Sequence, residues 1–442
     1  MIPNIYPAGG AATLYTAETD RFKTGLLSVL STLPITRENA VLAPLLLSVL
    51  RRGTRQYPTL SAISRRLDWL WGAGFSVRAS YRGNLLVVGF TANLLDPSYL
   101  PQDSGDLMGG ILDLMREILF APVRDADGLL SAAYTESEKS LQCDAIRAQK
   151  NNPRAYASDR CRALLYDTEP CGIPLWGSEE ETMAVTREEL TAYYDRFLAA
   201  LHPIAFSVGS ADPQLQARAL AARFEGLVTA PAALPTAGHR LAARTEPLRV
   251  TEQLAVAQSQ LVLGLRSGIL LGDPDCFACA VYNELLGISP VSRLFVYVRE
   301  KKSLCYSCSS SYNGMLGSLL ISCGLKKENR AAAEDEILHQ LDLLRAGDFT
   351  DEELLAAKKS LINAYRQLED SAGGTESYLL GRLLMGRSAQ LPIDESIARI
   401  GEVTREDLLA VARKVTVEVT YFLEGTLAGE EAVDDGNEDE GI

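Results

Sequence analysis

The chain has 442 residues, more than one ordinary hydrophobic core holds, so two or more domains are expected. With 47% apolar and 23% charged residues it has a globular composition, and its formal net charge of −14 argues against a nucleic acid or an anionic membrane surface as partner. Half of that charge lies at the C-terminal end, where Glu430, Glu431, Asp434, Asp435, Glu438, Asp439 and Glu440 stand without a base; this predicts a disordered acidic tail over 426–442 and a mildly acidic body.

From the N-terminal end, no apolar run of signal-peptide length precedes Arg21. The densest apolar stretch, 41–50, is interrupted by Pro44 and Ser48 and falls short of the roughly 18 residues that span a bilayer. The chain therefore reads as cytoplasmic and not inserted in a membrane. Leu60, Ile63, Leu67 and Leu70 keep helical spacing behind Thr59, a candidate cap. Strands are predicted over 75–80 and 85–90, with a turn at Gly83-Asn84. Thr186-Arg187-Glu188-Glu189-Leu190 opens a helix, followed by an apolar strand over 204–209. A small-residue, Pro-containing stretch begins at Thr229 and predicts a linker over 229–247.

The same features return beyond it. A Ser-Arg start at Ser292-Arg293-Leu294-Phe295 echoes Ser64-Arg65-Arg66-Leu67; strands follow over 306–311 and 319–324 around a turn at Asn313-Gly314. Asp351-Glu352-Glu353 places acids on the first turn of a long helix. Thr404-Arg405-Glu406-Asp407-Leu408 repeats the earlier helix start at an offset of 218 residues, again ahead of a strand, here over 417–423. Three repeats in the same order predict two related halves, 1–228 and 248–425, each an α+β layer with a mainly antiparallel sheet. No dinucleotide fingerprint or phosphate-binding loop is present in the sequence, so nucleotide binding has no support.

Cys276–Cys279 and Cys305–Cys308 have the outline of a zinc ribbon. The first pair opens a helix with Asp273 as expected N-cap and Pro274 at N1. The second brackets Tyr306 and Ser307 in a predicted strand, where residues three apart point to opposite faces. All four cysteines are therefore read as buried free thiols, and no metal is assigned to this chain. The three histidines, His202, His239 and His339, are far apart in sequence and supply no imidazole cluster for a hydrolytic zinc site.

The segment from Ser292 to Ser307, Ser-Arg-Leu-Phe followed by Arg299-Glu300 and then Leu304-Cys305-Tyr306-Ser307, resembles the second-half signature of the insulinase/pitrilysin-type zinc metallopeptidases, the group that contains mitochondrial processing peptidase. The stretch from Asn151-Asn152-Pro153 through Pro170-Cys171-Gly172 to Gly177-Ser178 is similar to a further family motif, and the likeness runs over about residues 10 to 425. It implies two homologous halves, each with helices packed on a mainly antiparallel sheet of the metallopeptidase/LuxS-like kind, enclosing a chamber.

Active relatives carry H-x-x-E-H just ahead of the tripeptide that is Arg52-Gly53-Thr54 here, which puts Pro44, Leu47 and Ser48 in the two histidine positions and that of the catalytic glutamate. The third family ligand falls near Asp144. Pro cannot ligate, Leu cannot act as a base and Ser is a poor ligand, so zinc hydrolysis by the isolated chain is not expected. The family's substrate-contacting Arg and Tyr, seven positions apart, match Arg299 and Tyr306 in type and spacing. The competing reading makes Arg299 a solvated helix end and Tyr306 a core strand residue.

Two functions follow from the resemblance. In the first, the chain is the non-zinc subunit of a heterodimeric peptidase: Arg299 and Tyr306 contact peptide substrate while a zinc-bearing paralogue supplies the metal, or the chain pairs with itself. In the second it is a non-catalytic accessory protein, since the resemblance is strongest to a zinc-less bacterial branch associated with the 5-aminopentanol modification of elongation factor P.

Overall fold

The computed structural model describes residues 4–7, 13–101, 104–224, 235–386 and 389–427. The acidic tail expected over 426–442 lies almost wholly outside the described residues. The first half runs β1 (Asn4–Pro7), β2 (Thr13–Glu18), β3 (Thr24–Pro34), α1 (Arg37–Arg51), α2 (Leu60–Trp69), β4 (Gly74–Arg82), β5 (Leu85–Leu95), α3 (Leu107–Phe120), α4 (Ala132–Ala148), α5 (Pro153–Leu165), α6 (Glu179–Ala184), α7 (Arg187–Ala200), β6 (Ile204–Gly209) and α8 (Pro213–Phe224). The second runs β7 (Leu248–Leu254), β8 (Ser259–Arg266), α9 (Cys276–Gly287), a π-helical segment (Leu294–Lys301), β9 (Ser307–Asn313), β10 (Ser318–Leu325), α10 (Arg330–Ala346), α11 (Asp351–Gln367), α12 (Ala372–Leu384), α13 (Ile393–Glu402), α14 (Arg405–Lys414) and β11 (Thr416–Gly425).

The sheets have the orders β1-β2-β6-β3-β5-β4 and β7-β11-β8-β10-β9. Apart from the added β1, the second order is the first with each strand replaced by its counterpart. Even the parallel pairs correspond: β2 with β6 and β7 with β11. The other pairings are antiparallel. The repeat read from short sequence echoes is therefore a repeat of the whole topology.

Local chemistry explains why the elements start where they do. Thr59 accepts from the Ala62 N–H at 3.2 Å, Thr186 from Glu189 at 3.1 Å and Thr404 from Asp407 at 3.2 Å, each satisfying an orphan donor of its helix's first turn. Thr350 and Glu353 form a reciprocal capping box at the start of α11. One expected cap is displaced. α9 begins at Cys276 behind Asp275, and Asp273 instead accepts from the Leu270 N–H at 2.7 Å and pairs with Arg240 at 2.7 Å.

The halves are joined by an exchange of corresponding helices. α5, from the first half, packs on β8, β10 and β11 of the second; α12, from the second, packs on β3 and β6 of the first. Asn152 caps α5 through the Ala155 N–H (3.0 Å), with Pro153 at its first position. The helix then approaches β8 where that strand has Gly264, and a Cβ there would stand 3.3 Å from the Cys161 sulfur and from Leu165. Ser158 meets Ser322 at 3.1 Å, while Tyr156 and Arg160 reach Glu252 at 2.6 and 3.1 Å. In return, Leu379, Leu380 and Leu384 of α12 enter a core continuous with Leu27, Leu30 and Phe206 of the first sheet. Full burial of each leucine contributes about 1.5–3 kcal/mol. Covering both faces of the central strands also explains their unbroken apolar runs.

The described part of the linker is tied down. Ala237 is fully buried; its N–H donates to the Leu384 carbonyl (2.8 Å), its carbonyl accepts from Asn84 (2.9 Å), and the His239 N–H donates to Met315 (3.0 Å). It threads between the hairpin turns of the two halves. His239 itself faces Glu169 at 2.8 Å.

Candidate functional site

Pro44, Leu47 and Ser48, which the resemblance aligns with the metal motif, all lie on α1. Pro44 and Leu47 are buried in its apolar face and Ser48 is half-buried. A proline within a helix has no N–H for the carbonyl four residues back, here that of Ala40. That carbonyl accepts instead from the Trp176 N–H at 3.0 Å. Trp176 and Gly177 both have left-handed backbone (φ +77° and +67°), so a tight turn is folded against α1 at Ala40 and Val41, one turn ahead of Pro44.

Asp144 does not face this helix. Its side chain is 62% exposed and pairs with Arg147 at 3.1 Å. α4 instead turns Gln142 and Glu138 toward α1: Gln142 donates to the Thr182 hydroxyl at 3.1 Å and to the Val41 carbonyl at 3.4 Å, while Glu138 pairs with Arg52. The buried Lys139, on the same helix, donates to the Val185 carbonyl at 2.8 Å. An amide, a carboxylate already engaged by Arg and a buried ammonium are a poor donor set for Zn²⁺.

Arg299 lies in the π-helical segment and Tyr306 just ahead of β9. The connection is sharply folded, with Ser303 in left-handed backbone (φ +51°), the Leu304 N–H donating to Val298 (3.0 Å) and the Tyr306 N–H donating to Gly324 (2.8 Å). The Arg299 guanidinium stacks over the Phe295 ring at 4.8 Å and touches Glu300 at 3.5 Å, with a side chain 44% exposed. Tyr306 is 47% exposed and not a core strand residue. Buried tyrosines behave otherwise, as with Tyr194, whose hydroxyl donates to the Leu119 carbonyl at 2.7 Å. A guanidinium from the π-helical segment and a phenol from the braced loop that follows it are thus both partly exposed to solvent.

The strand argument about Cys305 and Cys308 also fails on geometry. Cys305 precedes β9, so the opposite-faces rule does not apply to it, and Cys323 lies directly across from Cys308 in the β9–β10 register. The three sulfurs lie within 4.8 Å of one another. Hydrogen bonds from Cys308 and Cys323, helped by the Arg299 charge, outweigh desolvation and hold the Cys305 thiol well below its ordinary range. Sequence spacing identified the Cys305–Cys308 pair but missed Cys323, which only strand pairing brings in.

Two larger cavities lie elsewhere. One of about 730 Å³ is lined by Leu26, Leu95, Met108 and Val208 in the first half, and one of about 700 Å³ by Arg240, Arg266, Asp273 and Lys414 in the second. Neither is lined by Arg299, Tyr306, Pro44, Leu47 or Ser48. Three cations of the second are matched by acids: Arg240 by Asp273, Arg266 by Glu418 and Lys414 by Asp275.

Residues 184–361 match the family model described as Peptidase M16 inactive domain. The chain is 27% identical over 423 residues to the probable inactive metalloprotease YmfF of Bacillus subtilis, covering 94% of this chain and 96% of that one. It is 28% identical over 301 residues to an uncharacterized zinc protease of Streptomyces coelicolor, covering 65% and 63%. A conserved protein from Enterococcus faecalis superposes with a TM-score of 0.88 at 26% identity, over 97% of this chain and 100% of that one. The peptidase M16 inactive domain structure from Pseudomonas fluorescens has the same fold, with a TM-score of 0.74 at 21% identity over 98% and 100%. No helix among the described residues is long and apolar enough to cross a membrane. The duplicated topology, an α1 with Pro44, Leu47 and Ser48 in place of metal ligands, and these likenesses together bear out the resemblance to the insulinase-type (M16) zinc peptidases, and among them to relatives named as inactive.

Proposed function

We propose that this chain is the non-zinc subunit of a two-subunit insulinase-type peptidase, in which Arg299 and Tyr306 hold and polarise a peptide cleaved at the metal of a zinc-bearing paralogue. The supporting observation is that both side chains stand half-exposed, on the π-helical segment and on the braced loop after it, while positions 44, 47 and 48 of α1 carry no imidazole or carboxylate. A guanidinium donates forked hydrogen bonds to a peptide carbonyl, and a phenol donates to the oxyanion that develops when water attacks it. Pairing is needed on this reading because a Lewis acid and a general base must come from outside the chain. A cytoplasmic location belongs to the same proposal.

The test is peptide cleavage by the chain mixed with a zinc-bearing paralogue from the same genome. Tyr306→Phe is expected to lower kcat by about a hundredfold, as loss of an oxyanion donor does, and Arg299→Ala to raise KM. Unchanged turnover in both variants would sink the reading. The likeness to a relative named as inactive over nearly its whole length favours a second one, a non-catalytic accessory protein, for which the link to elongation factor P modification is the candidate role. It predicts partner binding by the purified chain without proteolysis in any mixture.

A further inference from the structure

Cys305, Cys308 and Cys323 have no part in the peptidase reading, yet they form a compact group. Cys308 and Cys323 are directly opposed across β9 and β10, which sets their side chains next to each other on one face of the sheet. Cys305 is brought to them by the folded loop. The Leu304 carbonyl accepts from the Asn329 side-chain amide at 3.0 Å, and the backbone on either side of Cys305 is bonded to the π-helical segment and to β10.

The three sulfurs lie within 4.8 Å of one another. A cation bound at about 2.3 Å from each of three sulfurs needs them about 3.8 Å apart, a closure that side-chain rotation can supply. Cys308 and Cys323 are buried and Cys305 is half-buried, so the group is roofed on the core side and open on the side of Cys305. Three thiolates would carry surplus negative charge beside the Arg299 guanidinium.

We propose that Cys305, Cys308 and Cys323 form a three-thiolate site for a soft, thiophilic cation, Zn²⁺ or Cu(I). On binding, three metal–sulfur bonds form and the protons still held on the sulfurs leave to solvent; no electron is transferred. A fourth position faces the open side, for water or for a group from a partner. Because Cys305 is joined to Tyr306, the cation would pin to the sheet the loop that carries the exposed phenol. The site is separate from α1, and its occupancy requires no peptidase activity.

The experiment uses the full chain, reduced and stripped of metal by a chelator. Cd²⁺ is titrated while thiolate charge-transfer absorption is recorded, and Zn²⁺ and Cu(I) are titrated separately against chromophoric chelators. One equivalent per chain is expected, with the same result for Cys276→Ser and at least about tenfold weaker binding for Cys305→Ser, at the least buried of the three cysteines. As a readout free of any variant, one equivalent of metal should block alkylation of Cys305. The proposal is overturned by binding below one equivalent, by affinity unchanged in Cys305→Ser, or by a Cys308–Cys323 disulfide that persists in the reduced chain.

Discussion

Leu47 shows how much one position decides. It is 1% exposed, on the face of α1 that packs into the first-half core, so the glutamate of active relatives would here enter an apolar site. Leu47→Glu is expected to destabilise the chain by about 3 kcal/mol or more, because a carboxylate buried without a partner bears most of its desolvation cost. A denaturant titration reads this as a lower midpoint, and a midpoint equal to wild type would show that α1 yields at this point. Pro44 makes a related point. The Ala40 carbonyl that its missing N–H leaves unserved accepts from the Trp176 N–H, so the helix is completed from outside.

At the scale of elements, the repeated Thr-Arg-Glu helix starts were legible because a cap depends on residues only three apart. Thr186 and Thr404 each accept one first-turn N–H, and they share no partner. Thr186→Ala and Thr404→Ala should each cost about 1 kcal/mol, and the double variant should lie within about 0.5 kcal/mol of the sum. Thermal or denaturant unfolding of the three proteins checks this; a large excess in the double variant would mean that the two helices are coupled. The hairpins were equally legible, since alternation and a Gly turn are local signals. Tyr306 was not. Its strand-like sequence suits a core residue, but the preceding π-helical segment and the left-handed Ser303 end the irregular backbone one residue after it.

For the whole molecule, the exchange of α5 and α12 makes the junction between halves part of the core. Glu252 on β7 is one of its polar fixtures. Burial alone would raise this carboxyl, but hydrogen bonds from Tyr156, Tyr421 and Arg160 outweigh that and hold it below its ordinary value of 4.5. A carboxyl depressed on folding stabilises the native state above its unfolded pKa, and that stabilisation is lost as pH falls through the folded value. Glu252→Gln should therefore be less stable than wild type near neutral pH, and the gap should close as pH drops below 4.5. Urea unfolding of both proteins over that range measures it; a gap independent of pH would show that the charge plays no part.

By itself the sequence determined the duplication, most of the caps and the hairpins, and the identities of Pro44, Leu47 and Ser48, which include neither a histidine nor a carboxylate. Each of these is written in residues close together along the chain or in plain residue identity. Only the tertiary structure decided that α5 and α12 cross between halves, that Asp144 turns away from α1 while Gln142 and Glu138 face it, and that Tyr306 stands in solvent. It alone joined Cys323 to Cys305 and Cys308. These depend on strand register and on the close approach of a helix to Gly264, contacts between residues far apart in sequence that no local pattern encodes.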